Sequence, residues 1–163
     1  MAQQTKMYGE IRDIPQAVAR LLAEGSDTMA AAGAALRGSD PAFLTTAARG
    51  SSDHAANFFK YATEIQMGVP VASLGPSVSS VYKRQMKLAG SACVAVSQSG
   101  QSPDIVAVAA MARRAGALTF ALTNEPASPL AAASDQTLHL HAGAEHSVAA
   151  TKTFVNATVV ALW

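Results

Sequence analysis

The sequence contains one cysteine, few aromatic side chains and little charge, and each shortage excludes a class of protein. Cys93 is the only cysteine among 163 residues, so no internal disulfide can form and a zinc site built on thiolates is excluded. Aromatic residues make up 6% of the chain, whereas alanine occupies 36 positions. A core built from so many small side chains favours close helix packing, which is typical of a helix-rich α/β protein.

Strong charge and long apolar runs are also missing. The formal net charge is +1 and no basic run occurs, so nothing is available to neutralise a phosphate backbone and we expect no nucleic-acid partner. The apolar stretches are too short to span a membrane, and the first residues, MAQQTKMYGE, lack the apolar middle of a signal peptide. We therefore expect no membrane association and a cytoplasmic location.

Motifs for nucleotides and for acyl-enzyme chemistry are absent from the sequence. There is no G-x-x-x-x-G-K-[ST] motif, and the chain reads RGSSDHA where a dinucleotide-binding fold would have G-x-G-x-x-G. A G-x-S-x-G nucleophile elbow is missing as well. We expect no nucleotide and no other cofactor.

Short apolar segments alternate with amphipathic ones along most of the chain, a rhythm that predicts a parallel sheet crossed by helices. The predicted strands are Ala42–Ala48, Val69–Leu74, Ser91–Val96, Leu118–Thr123 and Gln136–Leu140. The predicted helices are Ile14–Ala23, Asp27–Leu36, His54–Met67, Ser80–Leu88, Ser102–Ala115, Pro129–Ala133 and Thr151–Trp163. The expected fold is a three-layer α/β sandwich with a five-stranded parallel sheet in the flavodoxin-like order 2-1-3-4-5.

This pattern divides the chain into an N-terminal helical extension over residues 1–40 and an α/β domain over residues 41–163. The last helical pattern, Thr151–Trp163, has no glycine, basic last turn or proline to end it. We therefore expect the chain to stop within a helix and to be the first of two similar domains in a longer protein. Such a chain is expected to form a homodimer or to pair with the second domain.

Hydroxyl side chains are concentrated in the segment that follows the third predicted strand, Ser97–Ser102. Ser102 is a natural N-cap, Pro103 fits the first helical position, and Gly100 permits a tight turn. Backbone amides and hydroxyls at a helix N-terminus form an anion site, so this segment predicts binding of a compact dianion such as a phosphate monoester.

A second cluster, Arg49–Asp53, follows the first predicted strand in the same way. In the order 2-1-3-4-5 the first and third strands are neighbours, so the two serine-containing loops should face each other at the topological switch point, where α/β sheets bind ligands. The alternative is that the serines only cap the helices that follow them.

Two further groups of residues could form a catalytic pair or a metal site, and each could also have a purely structural role. Glu145 and His146 could act as an acid–base pair, or Glu145 could simply pair with Lys152. His139 and His141 alternate on one strand face and could bind a metal, but no third ligand is visible near them in the sequence.

These segments resemble the motifs of the SIS domain, the sugar isomerase fold. Ser97–Ser102, SQSGQS, resembles the signature S-Q-S-G-E-T, and Gly50–Ser52 resembles the G-T-S loop. Glu145–Lys152, EHSVAATK, is similar to E-x-x-V-A-S-T-K in the isomerase half of glucosamine-6-phosphate synthases, and Met7–Ile11 is similar to the start of that half. The resemblance covers nearly the whole chain, and the three motifs occur in the family's order.

The resemblance implies a domain that binds a phosphorylated sugar, a hexose or hexosamine 6-phosphate, through its serine loops. The residues that would hold the phosphate are Ser97, Gln98, Ser99 and Ser102. Ser51 and Ser52 would reach the phosphate or the sugar, and Val148 would line the pocket. The catalytic base, the ring-opening histidine and a terminal lysine would come from a second SIS domain, the tail or a neighbouring subunit, so no catalytic residue is assigned in this chain.

Departures from the synthase pattern refine the expected function. We expect no cysteine-dependent glutaminase segment before the isomerase-like region, and Ser77–Tyr82 stands where synthases carry an acidic Glu-Phe-Arg segment. Both features are closer to stand-alone isomerases and deaminases of amino-sugar phosphates. We expect the N-terminal half of an enzyme that isomerises or deaminates a hexosamine 6-phosphate; the alternative is a regulatory module that senses the sugar phosphate and changes no bond.

Overall fold

Five short apolar strands form an all-parallel sheet in the computed structural model, which describes residues 5–163. The strands are β1 (Leu44–Ala47), β2 (Val71–Ser73), β3 (Ala92–Val96), β4 (Leu118–Thr123) and β5 (Gln136–His139). Their order across the sheet is β2-β1-β3-β4-β5, which confirms the predicted arrangement. β3 is central, and all of its residues are buried, as expected for a strand covered by helices on both faces.

Helices cover both faces of the sheet. Those found within residues 5–163 are α1 (Lys6–Arg12), α2 (Ile14–Glu24), α3 (Ser26–Ser39), α4 (Ser51–Met67), α5 (Pro76–Ser80), α6 (Pro103–Arg114), α7 (Pro129–Ala133) and α8 (Lys152–Val160). Helices α2, α3, α4 and α8 contribute to the core on one face, and α6 and α7 to the core on the other. The fold is therefore the predicted three-layer sandwich. None of these helices is both long enough and apolar enough to cross a membrane.

The side chains of β3 show how the two cores are separated. Val94 and Val96 belong to the core beneath α4 and α8, whereas Cys93 and Ala95 belong to the core beneath α6, because successive side chains of a strand point to opposite faces. Burial raises the pKa of the Cys93 thiol to about 11. The thiol therefore stays protonated near neutral pH and fills space in the core.

The N-terminal helices share the core beneath α4 and α8. Ala17 and Leu21 of α2 are fully buried. The side-chain amide of Asn156, on α8, donates to the carbonyl oxygen of Ala17 at 3.0 Å and to that of Leu140 at 2.7 Å. These bonds join α2, α8 and the end of β5, and they hold the residues that follow β5 against the N-terminal helices.

The helix predicted over Ser80–Leu88 is wrong. The structure has a short helix, α5, over Pro76–Ser80, followed by irregular chain as far as β3. Pro76 occupies the first turn of α5, where its missing N–H is not needed. Lys83 has a φ of 53°, and a side chain in this left-handed conformation cannot continue a right-handed helix.

Helix α1 was not predicted from the sequence. It begins after Thr5, whose side-chain oxygen accepts a hydrogen bond from the amide of Tyr8 at 3.2 Å. Only one residue of α1, Glu10, is buried, so the helix has almost no apolar periodicity by which it could be found.

Candidate functional site

The sheet topology brings the two serine-containing segments to one edge. β1 and β3 are neighbours, with Ala47 in register with Ala95. Residues 48–50 connect β1 to α4, and residues 97–102, the β3–α6 loop, connect β3 to α6. Both connections leave the carboxyl ends of adjacent parallel strands, which is where open α/β sheets form their ligand sites.

A cavity of about 160 Å³ opens between these connections. Its lining residues are Arg49, Ser52, Val96, Ser97, Gln98, Ser99, Ser102 and Ile105. It thus gathers five of the site residues suggested by the sequence: Ser52, Ser97, Gln98, Ser99 and Ser102. The remaining two are not among its lining residues. Ser51 is the first residue of α4, and Val148 is fully exposed on the irregular segment before α8.

The serines that line the cavity do not cap the helices that follow them. Ser102 stands at the N-cap position of α6 but makes no capping hydrogen bond with its side chain; its Oγ lies 3.4 Å from Oγ of Ser97. Gly50, and neither Ser51 nor Ser52, is the N-cap residue of α4. Capping therefore does not explain the serine at position 102 or those at 51 and 52. Their hydroxyl groups stay available to a ligand.

In the β3–α6 loop, the carbonyl group of Gln98 is directed to the end of β4. The carbonyl oxygen of Gln98 accepts hydrogen bonds from the amide of Asn124 at 3.0 Å and from Oγ1 of Thr123 at 3.2 Å. The amides of Gln98 and Ser99 donate to no group within residues 5–163. The two amides without a partner in the described chain lie next to the N-terminus of α6, and together they create a positive potential that suits an anion.

An ion pair that the sequence did not suggest spans the cavity rim. Nη1 of Arg49, after β1, lies 3.0 Å from Oδ2 of Asp104, in the first turn of α6. The two residues are 55 positions apart, so no local pattern could have revealed the pair. Arg49 adds the one cationic side chain among the residues that line the cavity.

The segment before α8 does not form the acid–base pair considered from the sequence. Glu145 instead accepts hydrogen bonds from the amides and hydroxyls of Thr151 and Thr153 at the start of α8. Burial acts to raise the pKa of Glu145, but these hydrogen bonds together outweigh it and lower the pKa. The suggested ion pair with Lys152 is wrong, because Lys152 Nζ bonds to Oδ2 of Asp13 at 2.9 Å and to a backbone carbonyl.

Glu10 anchors the same segment from α1. Its carboxylate accepts hydrogen bonds from the amides of His146 and Ser147, at 2.5 Å and 3.2 Å, and from the Ser147 hydroxyl. The Ser147 hydroxyl and the His146 amide are the main causes that lower the pKa of Glu10. No role for Glu10 was predicted from the sequence. The only signal there was that the segment Met7–Ile11, which contains this residue, resembles the family.

We expect stability to fall in acid because of this anchor. A carboxyl whose pKa is lowered by folding stabilises the protein above its ordinary value, 4.5 for Glu10, and that contribution is lost as pH falls through the folded value. Glu10→Gln should lower the free energy of unfolding by about 1–2 kcal/mol at pH 7. Urea unfolding from pH 7 to pH 3 should show the difference from wild type shrinking as pH falls.

Glu125→Gln, at an exposed carboxyl on the β4–α7 connection, is the control for that measurement. The charge of Glu125 acts to raise the pKa of His139, so a small difference from wild type is expected where His139 titrates, and none that follows the titration of Glu10. A constant difference between Glu10→Gln and wild type across the pH range would show that the charge of Glu10 does not anchor the segment.

The two strand-end histidines have no third metal-ligating side chain grouped with them in the part of the chain that the structure describes. The ring centroids of His139 and His141 are 4.0 Å apart, and Nδ1 of His141 lies 3.0 Å from Oε2 of Glu24. Burial, with the neighbouring His141, lowers the pKa of His139. Within residues 5–163 no three histidine, cysteine, aspartate or glutamate side chains are grouped to hold a metal ion.

A larger cavity, of about 510 Å³, lies on the face of the sheet that α3, α4 and α8 cover. It is bounded by α3, α4, the end of α8 and strand residues such as Phe120 and Leu138, and it shares no residue with the serine-lined cavity. Its wall is mainly apolar and has no convergent set of donors. Size alone therefore does not make it the site of polar chemistry.

Comparisons with known proteins point to one family of domains. The SIS domain family matches residues 43–162. A glutamine–fructose-6-phosphate aminotransferase (isomerizing) from Thermotoga maritima is 37% identical over 106 residues, which are 65% of this chain and 17% of that protein. The chain thus spans about a fifth of the length of the curated relatives it matches.

Solved structures share the whole fold. The crystal structure of a candidate phosphosugar isomerase from Silicibacter pomeroyi DSS-3 is 55% identical with a TM-score of 0.94, covering 98% of this chain and 49% of that one. The Vibrio vulnificus NanR protein complexed with ManNAc-6P has a TM-score of 0.72 at 20% identity, over 94% of this chain and 57% of its own. At that identity the second likeness concerns the fold alone.

Proposed function

This chain belongs to the SIS domain family, and on that premise we propose that it binds a phosphorylated sugar by gripping the phosphate in the serine-lined cavity. The observation that carries the proposal is the convergence of four hydroxyls, from Ser52, Ser97, Ser99 and Ser102, on one cavity at the N-terminus of α6. In addition, the loop beside them has free amide donors. Hydroxyls and amides satisfy the oxygens of a phosphate monoester without a metal ion.

A role is proposed for each of these residues. Ser97, Gln98, Ser99 and Ser102 are proposed to hold the phosphate, and Ser52 to reach it from the β1 side. Ser51 and Val148, which lie outside the cavity wall, are proposed to contact the sugar beyond the phosphate. This assigns the anchoring end of the substrate to the cavity and the sugar ring to the space in front of it.

The reaction we propose is aldose–ketose isomerisation of a hexosamine 6-phosphate, with or without loss of ammonia. A relative in sequence is an isomerizing aminotransferase and a structural relative is a candidate phosphosugar isomerase. In such a reaction the binding energy of the phosphate holds C1 and C2 of the sugar in place for proton transfer. The base would come from a second SIS domain, a tail segment or a partner subunit, and the chain would work as a homodimer or paired with such a domain.

Calorimetric titration tests the binding step. Glucosamine 6-phosphate should bind with one site per chain, and glucosamine, which lacks the phosphate, should bind at least tenfold more weakly. The comparison isolates the phosphate because the two ligands share the same sugar. Equal affinity for both would show that the cavity does not recognise the phosphate.

A sensing role is the second candidate, because neither a carboxylate nor a histidine lines the cavity within residues 5–163. A sensor would bind the sugar phosphate and leave its bonds unchanged. The two functions separate in an assay of the full-length gene product for release of ammonia or fructose 6-phosphate from glucosamine 6-phosphate. Turnover supports the enzyme, and tight binding without turnover supports the sensor.

A further inference from the structure

Arg49 sits where it can add positive charge to the proposed phosphate site. It lines the same cavity as the serines. One of its terminal nitrogens, Nη1, is held 3.0 Å from Asp104. A guanidinium has five N–H donors in a planar fork, so the bond to Asp104 leaves the other edge of Arg49 free to bind a second anion.

The negative charge of Asp104 is the reason a positive charge is required at this site. Its carboxylate lies in the first turn of α6, next to the proposed anion site, and its Oδ1 is buried with no hydrogen-bond partner in the described chain. A carboxylate at a helix N-terminus stabilises the helix, but it also repels a phosphate bound nearby. A cation paired with Asp104 offsets that repulsion.

Exposure of the two partners fits a ligand-binding role better than a purely structural one. The Asp104 side chain is 19% exposed, whereas the Arg49 side chain is 68% exposed. An ion pair this open to solvent contributes little to stability. The guanidinium is therefore anchored at one end and reachable by a solute at the other.

We propose that Arg49 is a phosphate-binding residue, held at the cavity rim by Asp104. This inference rests on the proposed function. Arg49 binds the phosphate directly, and Asp104 acts as a positioning residue that keeps the guanidinium between the β1 and β3 sides of the cavity.

The test is a double-mutant cycle on the affinity for glucosamine 6-phosphate. Arg49→Met should weaken binding about ten- to hundredfold, as expected for loss of hydrogen bonds to a charged group. Arg49→Lys should recover part of the loss, because lysine keeps the charge but not the fork. The decisive variant is Arg49→Met combined with Asp104→Asn, which should still bind at least tenfold more weakly than Asp104→Asn alone.

The matched control is Arg113→Met. Arg113 lies in the last turn of the same helix and pairs with Asp135 at 2.8 Å, so its loss changes the net charge equally but far from the cavity. Its affinity should equal that of wild type. If Arg49→Met has no effect in the Asp104→Asn background, Arg49 serves only to neutralise Asp104 and the inference is wrong. If wild-type protein does not bind glucosamine 6-phosphate, the proposed function is wrong, and so is this inference, which depends on it.

Discussion

Replacing Gly100 by alanine should lower both the stability of the protein and its affinity for the proposed ligand. Gly100 has a φ of 61°, and a Cβ built on it would meet Oγ of Ser128 at 2.1 Å, Cβ of Ser128 at 2.5 Å and Oγ1 of Thr123 at 2.9 Å. The left-handed conformation costs an alanine about 1–2 kcal/mol, and overpacking costs about 1–3 kcal/mol more. We expect the free energy of unfolding to fall by about 2–5 kcal/mol in urea titrations.

The same substitution should displace the loop, because the obstruction cannot move easily. Ser128 caps α7, and the amide of Leu130 donates to the carbonyl oxygen of Gly100 at 3.0 Å. To make room for the added methyl group, either the β3–α6 loop or α7 must move. Affinity for glucosamine 6-phosphate should therefore fall at least tenfold if the variant still folds.

Gly90→Ala is the matched control for Gly100→Ala. Gly90 has a φ of 74°, but a Cβ there would meet nothing within 4 Å. This variant therefore carries the backbone penalty without the collision and lies away from the cavity. It should lose about 1–2 kcal/mol of stability and bind the sugar phosphate as wild type does. Equal loss in the two variants would show that the fit of Gly100 against Ser128 is unimportant.

The second large effect is expected from Ser97→Ala combined with Ser99→Ala. Each hydrogen bond from a hydroxyl to a charged phosphate oxygen is worth about 1.5–3 kcal/mol, so losing two with some overlap should weaken binding by about 2–4 kcal/mol. This corresponds to about thirty- to thousandfold in the dissociation constant measured by calorimetry. Neither hydroxyl caps a helix, and the bonds they make within the loop are long, 3.4 Å from Ser97 to Ser102 and 3.3 Å from the amide of Gln101 to Ser99. Thermal stability should therefore change little.

The control for the serine pair is Ser26→Ala combined with Ser39→Ala, at the two ends of α3. It removes two hydroxyls from positions outside the cavity and should leave affinity unchanged. Unchanged binding in the Ser97 and Ser99 variant, with wild-type stability, would reject the assignment of these hydroxyls to the phosphate.

The sequence predicted the sheet well because parallel strands are continuous apolar runs with local end signals. The bounds predicted for β4 and α7 match the structure residue for residue. The helix misplaced at Ser80–Leu88 depended on apolar spacing alone, and spacing contains no information about the positive φ of Lys83.

The site was predictable where its residues are adjacent in sequence and hidden where they are not. The β3–α6 loop combines serines, Gly100 and Pro103 within seven positions, so its proximity to a helix N-terminus could be predicted. Arg49 meets Asp104 across 55 positions, and Glu10 meets Ser147 across 137. Such pairings arise only when the sheet and the helices assemble, and no local rule of residue spacing predicts them.

The most direct measurement is a ¹H–¹⁵N correlation titration of this chain with glucosamine 6-phosphate, using glucosamine as the comparison. Saturable shifts are predicted for the amides of Gln98 and Ser99 and for Ser52 across the cavity, with the shifts of Gln98 and Ser99 small or absent for glucosamine. Shifts confined to the apolar cavity beside Phe120 and Leu138, with the β3–α6 loop unaffected by the phosphorylated sugar, would contradict the account.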